Sequence, residues 1–122
     1  MGAQDRDGPA AKSEAAVAWV VLVIAGLFEV LWAFTMKQSE GFTKLWPSLV
    51  TLGAMGVSFA LLSWSMRSLP LGTAYTIWTG IGAVGAFLVG ITLLGEAANP
   101  LRIIAALLIV SGLILMKAAS PH

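Results

Sequence analysis

Apolar residues fill four long stretches of this chain, and polar residues gather between them. The stretches run over about Val17–Met36, Leu45–Met66, Thr73–Leu94 and Leu101–Met116. Crossing the hydrocarbon of a bilayer takes about 20 apolar residues, so the first three are long enough outright. The fourth, within "RIIAALLIVSGLILMK", is apolar on all sides, as a helix immersed in lipid is. It spans if Arg102 and Lys117 extend towards the two interfaces. The links "KQSEGFTK", "RSLPLG" and "GEAANP" each carry Gly or Pro, which stop helices. The pattern predicts an all-α integral membrane protein, with four transmembrane helices and short loops over residues 17–117.

Residues 1–16, "MGAQDRDGPAAKSEAA", mix charges with small side chains and are expected to form a flexible N-terminal tail. Residues 118–122 form a C-terminal tail. The N-terminal stretch does not read as a signal peptide, because acids sit among its basic residues and three further spans follow the first. Arg6 stands where a myristoylation site needs Ser or Thr.

Composition supports the membrane assignment. The chain is 58% hydrophobic and only 11% charged, where a soluble domain is nearer half and a quarter. A net charge of +1, with no basic stretch interleaved with aromatics, argues against a nucleic-acid partner. The absence of cysteine excludes disulfides, thiol catalysis and thiolate metal sites. The only histidine, His122, is the last residue and reads as solvated. No cofactor or metal site is expected. No nucleophile–base pair lies in the spans, so the chain does not read as an enzyme.

Charge also bears on orientation. The N-terminal tail, second loop and C-terminus hold Arg6, Lys12, Arg67 and Lys117; the first and third loops hold Lys37, Lys44 and Arg102. Arg6 lies between Asp5 and Asp7, far from the first span, and counts for little. The bias that normally fixes topology is therefore close to zero. Two readings stay open: insertion both ways up, with opposed copies paired into an antiparallel homodimer, or a weak single orientation. A second consideration favours the dimer, since four short helices can hardly enclose a polar site and also shield it from lipid.

That polar site centres on Glu29. Of the twenty residues Val17–Met36, it alone is charged. One reading is a structural carboxyl, protonated and hydrogen-bonded between helices. The other is functional, which is the default for an intramembrane acid. Burial and a like-charged twin both favour the neutral form of a carboxyl, and such a group can exchange a proton for a cation. Asp5, Asp7, Glu14, Glu40 and Glu96 lie in tails or loops and read as solvated.

Three and four residues from Glu29 along a helix stand Ala25, Gly26, Trp32 and Ala33. The small residues leave room for a ligand or a partner helix. Trp32 offers a ring face to a cation and an N–H to a carboxylate. In the third helix, Tyr75, Trp78, Thr79 and Gly82 share a face; Tyr75 can donate to a carboxylate and Trp78 can wall a cation pocket. Gly80 and Gly82 interrupt that helix, as a hinge or for close packing. Thr51, Ser58 and Ser65 form one stripe on the second helix. Such hydroxyls commonly bond their own backbone. Ser58, level with Glu29, is the candidate donor that orients the acid.

The stretches "AGLFEVLWAFTMKQSEGFTKLWPS", "LPLGTAYTIWTGIGAVG" and "SGLILMK" resemble the small multidrug resistance family of four-helix bacterial inner-membrane transporters. The likeness covers Trp19 to Lys117. Trp32 in "FEVLWA", "YTIWTGIG" and the closing Lys117 resemble the guanidinium exporters within it. The resemblance implies proton-coupled export of guanidinium by an antiparallel dual-topology homodimer, with Glu29 binding proton and substrate in turn. It implies Gly26, Trp32, Ser58, Tyr75 and Trp78 as the substrate pocket and Gly80–Gly82 as a helix hinge. Guanidinium is planar and its fork of donors suits a carboxylate. Two other readings remain: efflux of quaternary ammonium drugs by the same proton exchange, and a structural or regulatory membrane subunit without transport.

Overall fold

The computed structural model describes residues 9–119. Four helices follow one another: α1 (Pro9–Gln38), α2 (Leu45–Ser65), α3 (Leu71–Leu93) and α4 (Pro100–Ala119). All four are long and apolar enough to cross a membrane. α4 has 20 residues, about 30 Å at the helical rise, which matches the hydrocarbon thickness. Arg102 and Lys117 are inside its two ends, so the span expected to be short is full length. α1 begins eight residues before the apolar stretch at Val17, within the segment read as tail. Helix and span thus start at different places: "PAAKSEAA" holds Ala, Lys and Glu, which favour helix as readily in water as in lipid. Residues 1–8 and 120–122, the outer parts of both expected tails, lie outside the described residues.

The links are tightly bonded. After α1, Glu40, Gly41 and Phe42 have φ of 49°, 76° and 66°, three left-handed residues in succession. The buried Ser39 holds this turn: its Oγ donates to the Met36 carbonyl at 2.6 Å and accepts from the Phe42 N–H at 3.0 Å. Lys44 pairs with Glu40 at 2.6 Å. Hydrogen bonding from Lys44, and its charge, hold the Glu40 carboxyl below the usual carboxylate range. α3 starts two residues earlier than expected, because the extended Pro70 leads straight into it. α3 closes with the Leu94 and Glu96 N–H groups on the Gly90 carbonyl, at 3.2 and 3.0 Å. Asn99 Oδ1 accepts the Arg102 N–H at 3.0 Å and caps α4, whose first residue is Pro100.

α1 packs along both α2 and α3, whereas the backbone of α4 approaches only α3. The core is accordingly thin: Ala18, Trp19, Leu22 and Ala25 of α1 meet Leu62 of α2, Leu69 of the link, and Ala74, Ile77 and Trp78 of α3. No residue of α4 is buried. Lipid solvates the outward apolar side chains, so helix contact rests on close approach and polar bonds rather than on hiding hydrocarbon.

Candidate cation site

Close approach is most developed where α1 meets α3. A Cβ built on Gly82 would overlap the Glu29 carboxyl itself. The acid therefore lies flat against the bare backbone of α3. The same holds one turn to either side. A Cβ on Gly85 would overlap Val30, and one on Gly26 would stand 2.6 Å from Ile81 Cγ2. On the other face of α3, Gly80 receives Leu113 of α4. α3 is helical throughout Leu71–Leu93, so Gly80 and Gly82 do not break it. Missing side chains serve interhelical contact here, and a helix shielded from water retains its own hydrogen bonds across glycine.

Glu29 Oε1 is buried and has no hydrogen-bond partner among the described residues, and the same is true of Trp32 Nε1. An acceptor and a donor on adjacent turns of α1 are therefore both open, and they do not bond each other. The expected Trp32–carboxylate bond is not made. Nor does Ser58 orient the carboxyl. Its Oγ donates to the Ala25 carbonyl at 2.7 Å and accepts the Trp78 Nε1–H at 2.9 Å, both bonds fully buried. The Ala25 carbonyl is the one that helical geometry pairs with the Glu29 N–H. Ser58 thus fixes the backbone beneath the acid and the ring beside it, and its single proton is already committed. Its stripe neighbours follow the commoner pattern: Thr51 donates to the Pro47 carbonyl at 2.7 Å and Ser65 to that of Leu62 at 2.8 Å. Thr51 also meets Thr35 of α1, hydroxyl to hydroxyl, at 2.7 Å.

Aromatic rings line the α2–α3 side. Trp32 meets Phe59 edge-on at 6.3 Å between centroids, Phe59 meets Trp78 at 5.7 Å, and Trp78 meets Tyr75 at 5.6 Å. Phe59 joins the two tryptophans and escaped the sequence reading, which considered only polar residues of α2; its place next to Ser58 was the available signal. Tyr75 is the outermost of the row, 53% exposed, and makes no hydrogen bond to Glu29. Gly26, Glu29, Trp32, Ser58 and Trp78 are brought together, Gly82 joins them through the carboxyl, and Tyr75 and Gly80 stand at the edges. Among the described residues no group of three His, Cys, Asp or Glu could hold a metal.

Four membrane-length helices, with one acid inside the first span whose oxygen is open and a row of aromatic rings along the neighbouring helices, define a small polytopic membrane protein. The Small Multidrug Resistance protein family model matches residues 17–109, a range that contains every residue of the site. The chain belongs to that family and is a multi-pass protein of the bacterial inner membrane. Proteins described as guanidinium exporters, from Citrobacter freundii, Salmonella typhimurium and Escherichia coli (strain K12), are each 58% identical to it over 101 residues. Those alignments cover 83% of this chain and 96% of each relative.

Proposed function

We propose that the protein exports guanidinium in exchange for protons, acting as an antiparallel dual-topology homodimer. The observation that carries this reading is the open Glu29 oxygen, buried against Gly82 beside an equally open Trp32 N–H. A buried carboxylate without a donor is costly. Protonation removes that cost, and so does a cation that brings donors of its own, so the two compete. Guanidinium supplies a planar fork of N–H donors to the carboxylate, and its faces suit the Trp32 and Trp78 rings. The names of the 58% identical relatives support this substrate.

The dimer is supported by the near-zero charge bias and by Phe59 and Tyr75, which leave the aromatic row open at 47% and 53% exposure. A second copy brings its own Glu29 to the same axis, so one cation faces two acids. Exchange between inward- and outward-open forms is proposed to bend α3 near Gly80 and Gly82, where no side chain resists a change of angle. The protein on this reading is a transporter and not an enzyme.

The test is proton release. Adding guanidinium to purified protein in weak buffer is expected to acidify the solution, and Glu29→Gln to release nothing. Guanidinium affinity is expected to rise with pH until the acids are deprotonated and then to level off. A tetra-alkylammonium salt serves as comparator. Affinity independent of pH from about 5 to 9 would overturn the shared site, because a tenfold change in binding accompanies each pH unit over which one proton is displaced.

A further inference from the structure

Away from Glu29, an apolar groove of about 760 Å³ runs between α1, α3 and α4. Its walls are aliphatic, among them Val23 and Ile24 of α1, Ile77 and Ile81 of α3, and Leu113 of α4. One charged side chain borders it, Lys117, whose ammonium stands 4.5 Å from the centroid of the Trp19 ring. Trp and Lys are the residues that settle at the level of lipid headgroups. Lys117 makes no ion pair among the described residues, where the pairs are Glu40–Lys44 and Glu96–Arg102. It differs in this from Arg102 at the other end of α4, which is held by Glu96, the Ala97 carbonyl and the Phe87 ring.

A groove of hydrocarbon ending at a cation with no ion pair among the described residues has the layout of a lipid molecule. We propose that it holds an acyl chain of an anionic glycerophospholipid, phosphatidylglycerol, with its phosphate on Lys117. An anionic headgroup fits better than a zwitterionic one, because among the described residues no carboxylate lines the groove to receive an ammonium. The bound lipid fills the space between α4 and α1, whose backbones do not meet directly. It therefore ties the least buried helix to the one that carries Glu29.

The test reads lipid, not transport, and so stands apart from the proposed activity. Full-length protein is purified in micelles holding equal phosphatidylglycerol and phosphatidylcholine, and retained lipid is measured by native mass spectrometry. The wild type is expected to retain the anionic lipid about fivefold over the zwitterionic one, the preference one lysine confers at an anionic surface. Lys117→Arg keeps that ratio and Lys117→Gln brings it to about one. Ile24→Trp, which fills the groove, lowers retention of both lipids. No preference in the wild type, or one unchanged in Lys117→Gln, overturns the proposal. So does an Ile24→Trp variant that dissociates dimers while retaining lipid as before, since the groove then belongs to a second copy.

Discussion

Ser58 bonds the Ala25 carbonyl, one helical turn before Glu29, yet these two polar residues are treated in opposite ways. Ser58 is fully buried and its hydroxyl is satisfied as donor and acceptor. Glu29 has one oxygen buried with no donor among the described residues, although Trp32, one turn along α1, carries an equally open N–H. Buried polar groups are paired in the great majority of cases. Ser58 and Trp78 instead bond each other and the Ala25 carbonyl, while the Trp32 N–H and the Glu29 oxygen stay open. On the proposed reading, this separates a scaffold, which holds Ala25, Ser58 and Trp78 in place, from a group kept free to exchange partners.

The strongest way to break that contrast is Glu29→Gln, which keeps the shape and removes the titration. Guanidinium transport driven by a proton gradient in proteoliposomes is expected to vanish, while thermal unfolding in detergent stays near wild type. Transport that persists would return Glu29 to a structural role. Gly82→Ala comes next. A methyl there takes the space of the carboxyl, so the acid must shift by about the width of the overlap. Misplacement of a reacting group by about 1 Å can cost about a hundredfold in rate, and a loss of that order in transport is expected with expression retained. Wild-type transport in Gly82→Ala would show that the acid has room to spare.

Ser58→Ala sharpens the other half. It leaves the Trp78 N–H and lends one less donor to the Ala25 carbonyl, so a loss of about 1–3 kcal/mol in stability is expected. The guanidinium preference over a tetra-alkylammonium should change little, since Ser58 does not touch the carboxyl. Chemical denaturation in mild detergent measures the first, paired transport assays the second. A variant as stable as wild type would mean that water or lipid headgroups replace the bonds at no cost.

The four helices were legible because lipid imposes one demand, about 20 apolar residues, which three stretches meet outright and the fourth meets once Arg102 and Lys117 reach the interfaces. Glu29 was legible for the converse reason, being the one charge in a span that excludes charge. Who bonds whom was not. A serine level with an acid reads equally as its donor or as a clamp on the next helix, and only the fold brings Ser58 to Ala25 and Trp78. Gly80 and Gly82 illustrate the same limit. Glycine permits both a bend and a close approach, and the contacts of Glu29 and Leu113 show the approach. Phe59 was harder to read, because an aromatic residue in an apolar helix points to a site only through its neighbours, Ser58 in the sequence and two indoles in the fold.

The smallest expected effect concerns Trp32, and it probes selectivity rather than competence. Its indole stands one turn from Glu29, meets Phe59 edge-on at 6.3 Å, and leaves its N–H unpaired. In the proposed complex it covers one face of guanidinium. Trp32→Gly removes that face and opens space beside the carboxylate, which still binds cations through charge. Guanidinium binding is expected to weaken by about 1–2 kcal/mol, the worth of a desolvated cation–π contact. Alkylated cations are expected to gain. Trp78 cannot readily substitute, because its N–H is held by Ser58 and its ring by Phe59 and Tyr75. The measurement is the ratio of guanidinium to tetra-alkylammonium transport by the variant. A ratio equal to the wild type would assign Trp32 to packing and move the selectivity to Trp78.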